Sequence, residues 1–137
     1  MSTSLILKRI KEIRNYHKIK DPLERKLYIL SDKNNSTFGK ISALITFKGK
    51  IIASSGNIDS KDLHAEIICI NEATKKKIPL NFCKIYILIS PCIMCSKKIL
   101  LNKIPEVYYL NSYGNDDGIK LLRKNSIKVL KYKPTLM

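Results

Sequence analysis

Four residues in this chain have the types and spacing to do chemistry together: His64, Glu66, Cys92 and Cys95. They fall in two clusters, His64-Ala65-Glu66 and Pro91-Cys92-Ile93-Met94-Cys95, with 92 − 64 = 28 positions between the first histidine and the first cysteine. A Cys-x-x-Cys pair at a helix start puts both sulfurs on one face, three residues apart, where they can reach a single ion. Unpaired backbone N–H groups and the positive end of the helix dipole favour thiolate over thiol there. One imidazole, from His64, completes a three-ligand set that leaves a fourth position of a zinc ion open, the arrangement of catalytic rather than structural zinc sites. Two thiolates cancel the formal charge of Zn²⁺ and weaken it as an acid toward water. Glu66, two residues from His64, is placed to act as the nearby base that accepts the water's proton. The chemistry implied is hydrolysis by activated water.

Each residue alone has a plainer account. A single histidine is commonly a packed or surface residue, and a single Cys-x-x-Cys can be a redox pair. The redox account leaves His64 and Glu66 without a task. The combination His-x-Glu, an intervening strand and Pro-Cys-x-x-Cys uses all four residues at once, and it is the general signature of zinc deaminases. Cys69 and Cys83 read as small apolar residues of the interior.

The surrounding sequence supplies the elements that would hold these clusters. At 137 residues the chain is one domain in size, able to bury a core without disulfides. Apolar residues at Leu5, Ile6, Ile10 and Ile13, and again at Leu23, Leu27 and Leu30, recur at helical spacing. Asp21-Pro22 marks the start of the second of these helices. Residues 31–40 are polar and predict a loop. Ile41 to Phe47 and Ile51 to Ser55 flank Lys48-Gly49-Lys50 and predict a hairpin. A helix over about 65–77, a buried strand over 84–90, a helix over 92–102, a strand over 107–111, a helix near 118–124 and a strand over 127–132 follow. The order ααββαβαβαβ predicts an α/β layered domain with a mixed five-stranded sheet. The division is an N-terminal helical segment, 1–33, and a catalytic core, 38–133, within a single domain, 1–137.

The net charge of +15 raises the question of nucleic acid, but only four of the 26 basic residues are arginine. Lysine is the residue of scattered solubility, while arginine is the commoner tool for phosphate and base recognition. Abundant Ile, Lys and Asn also follow from A/T-rich codons. Six basic residues and no acid lie between Lys120 and Lys133, which reads either as a solvated surface or as a phosphate contact. Leu5-Ile6-Leu7 is too short for a signal peptide or a membrane span, so a cytoplasmic protein without membrane contact is expected.

With these residues in view, the chain resembles the cytidine/deoxycytidylate deaminase superfamily over about Phe38 to Lys131. The likeness includes the hairpin from Gly39 to Asn57 and the stretch Ile104 to Tyr109. The resemblance implies a five-stranded sheet with helices on both faces, Zn²⁺ held by His64, Cys92 and Cys95, and Glu66 as proton shuttle. Asn57 matches an asparagine that hydrogen-bonds the substrate sugar in many members, although it could be an ordinary turn residue. Ala65, Ser90 and Pro91 are the remaining substrate contacts implied. Tyr113 would pack over a base or phosphate, or simply in the core.

The pattern Tyr113, Asp117-Gly118-Ile119, Leu121-Leu122 and Ile127 to Val129 is most similar to deoxycytidylate deaminases. Only 64 − 57 = 7 positions separate Asn57 from His64, a shorter connection than those enzymes often carry. That short connection and Pro-Cys-Ile-Met-Cys are also compatible with tRNA adenosine deaminases. The expected substrate is a free cytosine nucleotide, dCMP giving dUMP and ammonia, in a homo-oligomer. A polynucleotide base deaminase is the alternative, and a non-catalytic zinc-containing binding subunit a third reading.

Overall fold

In the computed structural model, residues 18–33, 41–56, 64–112 and 114–133 are described. Their elements, in chain order, are α1 (Pro22–Lys33), β1 (Ser42–Phe47), β2 (Lys50–Gly56), α2 (Ala65–Lys75), β3 (Cys83–Ile89), α3 (Ile93–Leu101), β4 (Glu106–Asn111), α4 (Asp117–Lys124) and β5 (Lys128–Lys131). A short 3₁₀ turn, Leu80–Phe82, leads into β3. The expected helix around Leu5 to Ile13 lies outside the described residues.

The five strands form one mixed sheet in the order β2-β1-β3-β4-β5. β1 is antiparallel to β2 and β3, whereas β3, β4 and β5 run parallel. The hairpin closes through Lys48 (φ 51°) and Gly49 (φ 80°), a two-residue turn with both centres left-handed. Such a turn matches the right-handed twist of the strands it joins.

Alternation along the strands sorts side chains between two cores. Ala43 and Ile45 of β1, Ile85 and Ile87 of β3 and Val107 of β4 face α2, α3 and α4, meeting Cys69, Ile70, Ile99, Ile119 and Leu122. Leu44, Tyr86, Leu88 and Leu110 face the other way, toward Leu27 and Tyr28 of α1. β3, covered on both faces, is for that reason the nearly continuous apolar run seen in the sequence. Tyr86, Tyr108 and Tyr132 pack as one stacked and two edge-on pairs on the α1 side. The hydroxyl of Tyr132 donates to Asp21 Oδ1 at 2.8 Å.

The polar composition predicted a loop over 31–40, but α1 continues through Lys33, and the rest of that stretch up to residue 40 lies outside the described residues. Ser31 is buried and returns its hydroxyl to the Tyr28 carbonyl at 2.8 Å, so a polar residue satisfies itself inside the helix. Ser42 Oγ donates to the Leu27 carbonyl at 2.6 Å and ties this helix to the sheet. The other elements fall within two residues of their expected limits. No helix among the described residues is long and apolar enough to cross a membrane.

The topology brings the functional clusters to one edge. The parallel strands β3 and β4 end side by side, and the antiparallel β2 ends at the same edge after pairing with the start of β1. In open α/β sheets, sites form beyond the carboxyl ends of parallel strands. Here that edge carries the Ser90-Pro91-Cys92 loop.

Candidate metal centre

His64 is the N-cap of α2 and Cys92 the N-cap of α3, so each cluster sits where extended backbone turns into helix. The backbone N–H of Cys95 donates to Cys92 Sγ at 3.4 Å, a cap in which sulfur takes the place usually held by serine or aspartate oxygen. Both sulfurs approach one imidazole nitrogen: His64 Nδ1 lies 3.8 Å from Cys92 Sγ and 3.3 Å from Cys95 Sγ. All three candidate ligand atoms lie within 4.8 Å of one another.

These distances permit a test of fit. Zn–S bonds of about 2.3 Å and a Zn–N bond of about 2.0 Å at tetrahedral angles place nitrogen and sulfur roughly 3.5 Å apart. The two observed separations bracket that value. The donor set, one imidazole and two thiols, suits zinc, and three protein ligands leave a position for water or substrate. The residues fit the metal.

Electrostatics agree with a cation at this point. The Cys92 thiol is pushed down to about 5, chiefly because Cys95 donates a hydrogen bond to its thiolate, with help from the backbone N–H groups of Cys95 and Met94 and from His64. Cys95 is pushed up, because it gives that hydrogen bond, is buried, and faces Glu66. A divalent cation between the two sulfurs would take the place of thiol protons there.

Glu66 occupies the first turn of α2 with only 4% of its surface exposed. Burial pushes its carboxyl up from the usual range, partly opposed by a hydrogen bond from Cys95 and by His64. One of its oxygens, Oε1, is buried without a hydrogen-bond partner. A buried carboxylate with an unused acceptor beside three possible metal ligands is expensive for the fold. It is what a proton-transfer group needs.

The remaining candidates separate. Ala65 is fully buried, its methyl part of the core between sheet and helices. Ser90 and Pro91 are buried at the end of β3, and the Ser90 N–H donates to the Asn111 carbonyl at 2.8 Å, anchoring the loop to β4. Asn57 and Tyr113 lie outside the described residues. Cys69 is buried and donates to the Ala43 carbonyl at 3.3 Å, and Cys83 sits at the start of β3 near the Pro79 carbonyl. Neither belongs to the three-ligand group.

Two residues outside the His-x-Glu and Pro-Cys-x-x-Cys motifs also pack about the site. Asn111 Nδ2 donates to the Leu88 carbonyl at 3.0 Å and reaches the Tyr28 hydroxyl at 3.5 Å, joining α1 to the strand end that carries the ligand loop. Gly118, at the start of α4, lies against the carbonyls of that loop. Their contacts join residues far apart in sequence, and only Gly118 had been singled out, within the Asp117-Gly118-Ile119 resemblance.

Comparison with known proteins places this geometry. The sequence profile for the "cytidine and deoxycytidylate deaminase zinc-binding region" matches residues 23–111. The tRNA-specific adenosine deaminase of Aquifex aeolicus is 32% identical over 75 residues, covering 50% of this chain and 50% of that protein. The chain therefore spans about half the length of that curated relative. The corresponding enzyme of Rickettsia felis is 30% identical over 114 residues, 79% of each chain. Among solved structures, the apo dCMP deaminase of cyanophage S-TIM5 superposes with a TM-score of 0.74 at 25% identity, covering 84% of this chain and 98% of that one.

Proposed function

The chain belongs to the cytidine and deoxycytidylate deaminase family with its zinc-binding region, and from that premise we propose that it is a zinc-dependent hydrolase acting on a cytosine nucleotide, dCMP to dUMP plus ammonia. The observation that carries this reading is the buried Glu66 carboxyl, with one unpartnered oxygen, beside the His64, Cys92 and Cys95 group. A purely structural zinc site would close with four protein ligands and have no use for that carboxyl.

In this mechanism His64 Nδ1 and the sulfurs of Cys92 and Cys95 would hold zinc. When bound, zinc supplies the positive charge that makes water acidic enough to serve as a nucleophile near neutral pH. Glu66 takes a proton from the attacking water. Its raised carboxyl delivers that proton to ring N3, then takes the second proton from the hydroxyl newly bonded to C4 and passes it to the amino group as the C4–N bond breaks. Water and the cytosine base become uracil and ammonia, with no net change in protons. Ser90 and Pro91 present backbone groups toward the exocyclic amine, and Asn57, Ala65 and Tyr113 complete the proposed substrate contacts.

The free-nucleotide reading draws support from the cyanophage dCMP deaminase, nearly all of whose length this chain matches. It also draws on the basic stretch from Lys120 to Lys133. Lys120 pairs with Asp116 at 3.4 Å, Lys128 approaches Glu106 at 3.9 Å, and Arg123 donates to the Val129 carbonyl at 2.8 Å. Half of the six positive charges there already have partners within the fold. The relatives named as tRNA-specific adenosine deaminases favour a second reading, a base within a polynucleotide. Such an enzyme must take its base out of the stack, into a groove that also holds backbone phosphates.

A single domain over 1–137 and a cytoplasmic location belong to the same proposal. So does homo-oligomerisation, supported by the exposed Ile93, Met94 and Leu101 along α3 and checked by light scattering. The deciding experiment is ammonia release from cytidine, deoxycytidine, CMP, dCMP, dCTP, cytosine, guanine and adenosine, beside tRNA and single-stranded DNA. Highest kcat/KM on dCMP is expected. Conversion confined to tRNA or single-stranded DNA would replace the first reading by the second.

A further inference from the structure

Gly118 lies within the first turn of α4, and its backbone is not among those with a positive φ, so conformation does not demand glycine there. Glycine inside a helix costs stability relative to alanine, and its presence points to packing. A Cβ at this position would stand 2.6 Å from Ser96 Oγ, 2.9 Å from the carbonyl oxygen of Cys92, and closer still to that of Pro91. Two of these three atoms are backbone and cannot rotate away. The Ser96 hydroxyl facing this contact is fully buried and lacks a hydrogen-bond partner, so even the side chain in the group is held without compensation.

The loop at this contact is pinned from three sides. Ser90 N–H donates to the Asn111 carbonyl on the β4 side, and the Cys92 carbonyl accepts the Ser96 N–H at 2.9 Å, the first bond of α3. The third side is α4, anchored in the core by Ile119 and Leu122. We propose that Gly118 is a positioning residue for the metal ligand Cys92: by omitting a side chain it lets α4 seat directly on the Pro91 and Cys92 carbonyls and hold the Cys92 sulfur toward His64 and Cys95. This rests on the reading of His64, Cys92 and Cys95 as the zinc site. It also assigns α4, which contributes no ligand, a part in metal retention. Groups that orient metal ligands typically change affinity by about 10–100-fold when altered.

The test compares zinc-loaded wild type with Gly118→Ala, Ser96→Ala and the double variant. Zinc release to a chromophoric chelator is followed well below Tm, and the visible spectrum of each cobalt-substituted protein is recorded. Gly118→Ala is expected to release zinc about 10–100-fold faster and to shift the cobalt bands. Ser96→Ala should resemble wild type. The double variant should stay as impaired as Gly118→Ala, because the two carbonyls remain in the way. Wild-type release and spectrum in Gly118→Ala would overturn the proposal, as would recovery in the double variant, which would reduce the contact to ordinary packing between α3 and α4. If Gly118→Ala does not fold, Ile119→Val loosens α4 without adding an atom. It should release zinc several-fold faster, and unchanged release in that variant would equally overturn the positioning role. A wild-type protein that takes up neither zinc nor cobalt would overturn the metal reading itself, and with it this proposal.

Discussion

Glu66→Gln should move activity and stability in opposite directions. Gln is nearly the same shape, so the fold and the three ligands remain, but it can neither accept nor return a proton. General acid–base catalysis is worth about 10²–10⁴-fold in rate. With both deliveries, to N3 and to the leaving amine, depending on one carboxyl, the loss should reach the upper part of that range. Stability follows from burial, which raises the Glu66 carboxyl above its value in the unfolded chain. Below about pH 4.5 the carboxyl is neutral in both states, and wild type and variant should be equally stable. As pH rises through the folded value, the wild-type chain gains by unfolding and ionising, so its stability falls while that of the variant does not. At pH 7 zinc-free Glu66→Gln should be more stable than zinc-free wild type, because only the wild-type chain gains by unfolding to ionise its buried carboxyl. Urea denaturation of chelator-treated proteins at pH 4 and pH 7 measures the difference, and ammonia release measures the rate. A variant retaining a tenth of wild-type turnover, or one less stable than wild type at pH 7, would refute the assignment of the buried carboxyl as the proton carrier.

Other outcomes follow from the same structure. Purified protein should carry one zinc per chain by elemental analysis, and Cys92→Ser or Cys95→Ser should lose it; near-stoichiometric zinc in a His64→Ala, Cys92→Ser double variant would discard the ligand set. The value of kcat/KM on dCMP should depend only shallowly on salt, whereas affinity for a polynucleotide would fall by about 0.7–0.9 log unit per log unit of salt for each phosphate neutralised. Leu44→Ala, which empties a fully buried position between β1 and α1, should cost about 2–5 kcal/mol in urea denaturation while leaving zinc content unchanged.

Most of the architecture was legible because its signals are local. The apolar run of β3, the Lys48-Gly49 turn and the Asp21-Pro22 helix start each announce themselves within a few residues. The metal centre was legible for a different reason. Ligand chemistry restricts residue type so strongly that His-x-Glu and Pro-Cys-x-x-Cys carry information without knowledge of the fold. Strand order, and the parallel pairing of β5 with β4, had no local signal. Nor did the seating of Gly118 on Pro91 or the link from Asn111 to Tyr28, which join residues 27 and 83 positions apart. Ser31 misled because composition suggested a loop, while its hydroxyl closes back on its own helix.

The groups that are hardest to bury gather at one edge of the sheet. Glu66 with its unpartnered oxygen, Ser96 with its unpaired hydroxyl, and the paired cysteines Cys92 and Cys95 all lie at the N-terminal ends of α2 and α3. No comparable strain marks the described interior elsewhere, where Leu27, Leu44, Ile85, Ile87 and Leu122 are fully enclosed. Two apolar cores on opposite faces of one sheet can offset a concentrated polar cost at its rim, whereas a small domain with one core would have less to oppose it. Bound zinc would remove part of that cost by neutralising the thiolates and by favouring the ionised form of Glu66. The metal is therefore expected to stabilise this chain chiefly at the rim, and only secondarily in the cores, which are complete without it.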